Sequence, residues 1–373
     1  MSSNERVERL SRKLLGAFAA LVIAIAVVGC GGSGEPSDEE KVESALAEVD
    51  EILEKEGPLV GLGEADAPPP DATRWETDFS KALVPLDEIQ SGGPPKDGIP
   101  PIDAPKFTRA SDVDWLEGKE PVIALEVDGE TRAYPLQILT WHEIVNDEIG
   151  STPVAVTFCP LCNTAIVFDR RVDDDVLSFG TTGKLRDSDL VMYDRQTESW
   201  WQQFGGNAIV GELAGKELRE LPAQIVSWNE FRSANDNALV LNRETGHSRD
   251  YGENPYPGYD DVESSPIFAT RGDDDDRLLP KERVVYVEVS GDAFAVPFSS
   301  LAKQRTIEIE TDGGTVVVRW RPGVASALDE AAISAGRDVG AAAVFLDGEP
   351  VPFSEPFWFA VAAFRPDIEI VDN

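Results

Sequence analysis

The chain repeats part of itself. Residues 119–160 align with residues 281–322 at a constant offset of 162, without a gap, and 13 of the 42 aligned positions are identical. A chain that carries such a unit twice is expected to fold it twice. Each copy opens on Lys-Glu, runs through apolar residues and reaches a turn at Asp128-Gly129 or Ser290-Gly291. A residue-Gly pair between apolar runs signals a hairpin. A second strand then ends at Pro135 or Pro297, and Val154 to Val156 falls over Val316 to Val318 as a further strand. The predicted fold is mainly β (α+β) with short helices, built on this duplicated hairpin and strand unit.

The copies differ where chemistry is possible. Cys159 aligns with Arg321, Cys162 with Val324 and His142 with Gln304. The chain has three Cys, two His and two Met among 373 residues. Cys30 and Met1 belong to the N-terminal segment, and the other five lie between His142 and His247. The pattern predicts one active copy and one structural copy.

Three readings of Cys159-Pro160-Leu161-Cys162 compete. A redox pair needs a helix after the first Cys to lower its thiol pKa, and Asn163 to Asp169 reads as a strand instead. A disulfide closes a very small loop and gains little chain entropy. A metal knuckle points two sulfurs to one side, and the residue after it needs positive φ, which Asn163 tolerates. The knuckle leads, but two sulfurs do not complete a metal site. His142, His247 and Met192 are the soft ligands left to add. Such a set suits zinc or copper. Each also has a plain role, hydrogen-bonded for the imidazoles and core for Met192. His142 is expected at a strand-to-helix junction, with Glu143 beside it to orient it or act as acid or base. Arg186, Asp187, Asp189, Asp194 and Arg195 form a charged stretch that either binds a ligand or is salt-bridged and solvated. Trp200, Trp201, Tyr251, Tyr256 and Tyr259 either line a groove or pack in the core. Asp273 to Asp276 lacks calcium-loop spacing, and Arg271-Gly272-Asp273 reads as a chance tripeptide.

The N-terminus reads as an address. Residues 5–13 are basic, residues 14–29 are apolar, and Cys30 follows. Sixteen apolar residues are short for a spanning helix, and the pattern fits a secretory signal (1–29) with Cys30 as lipid attachment point; an uncleaved short anchor is the other reading. Either places the remainder outside the membrane but tethered to it. Residues 30–106 read as a stalk, a helix over 38–56 and then a Pro-rich arm, and 107–373 as the globular domain. The net charge of −36 repels phosphate backbones and anionic headgroups, so nucleic-acid binding is excluded. Only 11 of 33 basic residues are Lys, as expected of a protein working in high salt.

Several long motifs point to one family. They are YPLQILTWHEIVNDEIG (134–150), PVAVTFCPLCNTAIVFDR (153–170), GKLRDSDLVMYDRQTESWWQQF (183–204), GHSRDYGENPYPGYD (246–260) and PFWFAVAAFRPD (356–367). Together they resemble DUF3179, a family of uncharacterised proteins whose members are often exported or lipid-anchored. The resemblance carries the family's His-Glu and Cys-Pro-Xaa-Cys elements onto His142, Glu143, Cys159 and Cys162, with Asn163 where many members have Gly. It implies no biochemical role. The leading expectation is therefore a surface-anchored protein that binds copper or zinc for metal handling or redox, with an unidentified metalloprotein or redox partner. A thiol–disulfide oxidoreductase, a metal-dependent hydrolase using Glu143, and a non-catalytic binding module are the alternatives.

Overall fold

The computed structural model describes residues 68–235 and 237–372. The signal, Cys30 and the helix expected over 38–56 lie outside the described residues. Among the described residues no helix is long and apolar enough to cross a membrane.

Residues 69–373 form one compact unit. Along it run β1 (Ile89–Ser91), β2 (Phe107–Arg109), β3 (Pro121–Val127), β4 (Glu130–Pro135), helix α1 (Leu136–His142), β5 (Ile144–Ile149), β6 (Thr152–Cys159) and β7 (Thr164–Asp169). A small ribbon, β8 (Arg171–Val172) and β9 (Asp175–Val176), leads to β10 (Phe179–Arg186), β11 (Asp189–Asp194), β12 (Trp200–Gln202) and β13 (Ala208–Val210). Next come β14 (Arg219–Leu221), β15 (Ala223–Ser227), α2 (Trp228–Ala234) and β16 (Leu239–Leu241). The last part holds β17 (Val284–Val289), β18 (Asp292–Pro297), α3 (Phe298–Gln304), β19 (Thr306–Thr311), β20 (Gly314–Arg321), β21 (Ala341–Leu346), β22 (Glu349–Pro350), α4 (Trp358–Phe364) and β23 (Glu369–Ile370).

The fold is mainly β, and its small sheets are arranged like a five-bladed propeller. The five sheets have the strand orders β15-β3-β4-β16-β2, β14-β7-β6-β5, β1-β10-β11-β12-β13, β17-β18-β23 and β19-β20-β21-β22. The hairpin β3–β4 turns at Asp128 and Gly129, with φ of 53° and 77°, and β17–β18 turns at Ser290 and Gly291, with φ of 53° and 89°. Two consecutive positive φ values match the right-handed twist of the flanking strands, and Gly supplies the second without strain.

The elements β3-β4-α1-β5-β6 and β17-β18-α3-β19-β20 run in the same order with closely similar lengths. The likeness continues past the 42 aligned residues. The backbone N–H of Trp228, at the start of α2, bonds the carbonyl of Glu120, and that of Trp358, at the start of α4, bonds Glu282. β16 then runs parallel to β4, and β23 parallel to β18. The blade β1-β10-β11-β12-β13 has no such counterpart; most of it lies in the chain between β7 and β14.

Burial explains the short helices. Leu136, Ile138 and Leu139 on α1 are buried in the main core, each contributing about 1.5–3 kcal/mol. The segment expected to be an extended arm reaches into this unit. Gly183 sits in a bulge of β10 with φ +72°, and a Cβ there would lie 1.9 Å from the carbonyl oxygen of Pro94. Ile102 pairs with Val145.

Candidate functional site

The turn after β6 is held from several sides. Cys159 pairs with Thr164 across the β6–β7 ladder, so Pro160 to Asn163 form the loop. Asn163 closes it with φ 58° and its amide donates to Glu355 O at 2.7 Å. The Phe357 N–H bonds Cys162 O at 2.9 Å. The Tyr259 hydroxyl donates to Leu161 O at 2.9 Å. Lys281, 2% exposed, sits over the Tyr259 ring and donates to Tyr259 O at 2.6 Å. β7 follows the turn as a strand, so no helix begins at Cys159 to lower its thiol pKa.

A second turn meets the first. Asp187 and Ser188 link β10 to β11 with φ of 53° and 58°, a conformation that strains residues bearing a Cβ. Outside contacts hold it. Arg271 forms a forked ion pair with Asp187, and the Ser188 hydroxyl donates to Phe268 O at 2.9 Å. Arg271 is therefore occupied by this ion pair. The turn delivers Asp189 to the cysteines.

Cys159, Cys162 and Asp189 each offer a ligand atom, all within 4.8 Å of one another and all buried. Both thiols are free. Cys162 Sγ donates to Asp189 Oδ1 at 2.9 Å and lies 2.9 Å from the Thr164 hydroxyl. Asp189 Oδ2 accepts from the Gln202 amide at 2.5 Å and from Phe204 N–H at 2.9 Å. Gln203 extends the network, its oxygen accepting from Thr164 at 2.6 Å and its nitrogen donating to Thr157 at 2.9 Å. Cys159 Sγ faces Ser188 O at 3.8 Å.

Glu143 completes the surroundings. It follows α1 with φ 60°, it is 7% exposed, and its carboxyl group has no hydrogen-bond partner among the described residues. Burial and the nearby Asp189 carboxylate push it up to about 8. Burial likewise pushes Asp189 up to about 6, although Cys162, Phe204 N–H and Gln202 pull against it. Burial raises the Cys162 thiol well above its ordinary range. Four groups able to carry negative charge thus lie buried close together. At neutral pH the Cys162 thiol and Glu143 keep their protons unless a cation replaces them.

The donors fit a metal. Two thiolates and a carboxylate suit tetrahedral zinc, with ligand distances of about 2.3 and 2.0 Å. Such ligands lie about 3.5 Å apart, so an ion taking the place of the Cys162 proton would part sulfur and oxygen by about half an ångström.

The structure brings together Cys159, Cys162, Asp189 and, within electrostatic range, Glu143 and Tyr256. It does not add His142. The sequence predicts His142 at a strand-to-helix junction; it is instead the last residue of α1, and the chain then enters β5. The reason is that Pro135 ends the strand early and the following apolar residues bury a helix face. Both ring nitrogens of His142 are engaged, Nδ1 with Pro100 O and Nε2 with the Tyr251 hydroxyl, each at 2.6 Å. His247 lies beside that ring, on the exposed side. Met192 is core, paired with Thr181 and Trp201 in the sheet. Trp200 and Trp201 are fully buried. Arg186 pairs with Glu88, and Arg195 with Asp103. Asp194 is a structural acceptor for Thr197 N–H at 2.6 Å and Trp201 Nε1 at 2.9 Å.

In the sequence Asp189 stands out only as part of a charged stretch, and Thr164, Gln202 and Gln203 do not stand out as site residues. The only signal for them is a polar Gln-Gln pair inside the aromatic run WWQQF.

A family model described as a protein of unknown function, DUF3179, matches residues 96–368. Neither the comparison with curated proteins nor that with solved structures returns a match.

Proposed function

We propose that this chain, which belongs to the DUF3179 family, binds one transition-metal ion, zinc before copper, through Cys159, Cys162 and Asp189. The observation that carries the reading is the convergence of two thiols and a carboxylate within 4.8 Å, all buried, from two different blades. Burying several such groups together is unfavourable unless a cation offsets their charge. Zinc is favoured because the third donor is an oxygen, whereas the His142 imidazole, which would suit copper, bonds elsewhere. Three protein ligands leave a fourth position, and Glu143, unpaired beside them, is either the fourth ligand or the acid–base group of a hydrolytic site. When bound, the ion would supply Lewis acidity there.

The recurrence of elements is read as a duplication in which one copy holds the site and the other serves as scaffold. The first 29 residues are read as an export signal and Cys30 as a lipid anchor, which places metal handling at the outer face of the membrane. Membrane fractionation of a Cys30→Ser variant tests the anchor, with release into the soluble fraction expected.

Elemental analysis and a free-thiol count on one untagged, anaerobically purified sample test the site. About one zinc per chain, lost in Cys159→Ser, supports it. No metal under any loading, with the two thiols readily oxidised to a disulfide, overturns it in favour of a dithiol redox function.

A further inference from the structure

We propose that His142, His247 and Tyr251 form a second, outer site for a borderline transition-metal ion such as nickel(II) or copper(II). The two histidines are the only ones in 373 residues. They stand 105 positions apart in sequence, yet their ring centroids are 5.5 Å apart. Tyr251 lies against the same ring, at 5.7 Å.

The hydrogen bonds fix the tautomer. Pro100 O can only accept, so His142 Nδ1, 2.6 Å away, carries the proton. Nε2 then holds a lone pair and accepts from the Tyr251 hydroxyl at 2.6 Å. Tyr251 has spent its one proton, so Thr245 must be the donor in their 2.6 Å contact. An imidazole held by a backbone carbonyl on one nitrogen, with its lone pair presented on the other, is the arrangement that metal-binding histidines use. His247 supplies the second lone pair. Its ring is exposed and has no hydrogen-bond partner among the described residues, and Gly246 beside it turns the chain with φ +85°. An ion here would take the place of the Tyr251 proton and gain two imidazole nitrogens and one phenolate oxygen. Nitrogen and oxygen donors suit nickel(II) and copper(II), whereas the cysteine cluster offers sulfur.

The charged neighbours are Arg249, within electrostatic range of His142, and Arg243, within range of Tyr251. Their charge opposes a cation, so removing Arg249 is expected to tighten the site. None of the three proposed ligands bonds to Cys159, Cys162 or Asp189, so this site does not depend on the inner one.

Nickel(II) titrated calorimetrically into the untagged full chain tests the proposal against His247→Ala, an exposed change that leaves the fold intact. The variant is expected to lose one equivalent, or to bind it about 10–100-fold more weakly. Copper(II) added to the Cys159→Ser/Cys162→Ser variant should give a resonance split by two imidazole nitrogens and a visible phenolate-to-copper band, which Tyr251→Phe removes. Should that double variant not fold, the nickel comparison decides alone. Equal nickel binding by the wild type and His247→Ala overturns the proposal. So does inorganic phosphate binding that is lost in Arg249→Ala, which would make this an anion site.

Discussion

Glu143 and Arg305 occupy the same place in two stretches of this chain. Each follows a seven-residue helix with positive φ, 60° and 68°, and each sends its N–H back to a leucine, at 2.7 and 2.8 Å. Each offers its carbonyl to the strand after next, to Phe158 of β6 at 2.8 Å and Trp320 of β20 at 2.9 Å. The side chains then part company. Glu143 is buried without a partner beside Asp189, while Arg305 lies over the Trp320 ring at 4.5 Å. Cys159 enters the buried cluster, and Arg321 at the corresponding position forms an ion pair with Glu230. The helix end is therefore a property of the shared backbone, and its positive φ says nothing about function. What distinguishes the first stretch is the neighbour it meets. Asp189 comes from the blade that has no counterpart, inserted between β7 and β14. The second stretch has no such blade to face.

The largest expected effect is on metal content. Cys159→Ser or Cys162→Ser should abolish stoichiometric zinc by elemental analysis, whereas Arg321→Ala should leave it unchanged. The comparison is broken outright if Arg321→Cys with Val324→Cys creates a second zinc site; without an Asp189 equivalent, none is expected.

Asp189→Ala should come next. It removes the acceptor for Cys162, Gln202 and Phe204 N–H, and leaving one such buried donor unpaired costs about 1–3 kcal/mol. Chemical denaturation of the metal-free protein measures the loss.

The third effect is a pH dependence. Glu143 and Asp189 titrate at about 8 and about 6 when folded, above their ordinary values of 4.5 and 3.8. Between the unfolded and folded values the native chain binds more protons, so metal-free stability should be highest near pH 4 and fall as pH rises towards 8. Glu143→Gln should flatten the upper part of that decline, from about pH 6 to 8. A denaturation series across pH, with the variant alongside, reads this directly. Zinc should reverse the slope, since its binding releases protons.

The smallest effects belong to the second stretch. Arg321→Ala removes a half-exposed ion pair with Glu230, worth about 0–1 kcal/mol. Arg305→Ala removes an interaction with an aromatic ring worth about 0.5–1 kcal/mol. A loss of several kcal/mol in either would show that the second stretch carries more than scaffold.

Much of the local architecture is legible in the amino-acid order. The hairpin turns follow from Asp128-Gly129 and Ser290-Gly291, because a two-residue turn with positive φ needs such pairs. The mainly β character follows from alternating apolar runs, and the tolerance of Asn163 for φ 58° follows from its short polar side chain. Cys159 and Cys162 stand out as candidates because soft ligands are so rare in this chain. The helix of Leu136 to His142 is not legible, since a seven-residue stretch with four apolar residues is consistent with strand or helix until its neighbours are known.

Left to itself, the sequence settles local matters: turns set by steric rules, strands set by a period of two, and a set of residues capable of chemistry. How that set divides is a matter of tertiary structure. The fold takes Asp189 out of a charged stretch and sets it against two thiols. It turns His142 away from the cysteines, although Glu143 beside it approaches them, because consecutive residues at a helix end point in different directions. Backbone sterics act between neighbours in sequence. A ligand set instead depends on which strand ends meet in space, here a turn and a strand some 27 residues apart, and no local preference encodes that meeting.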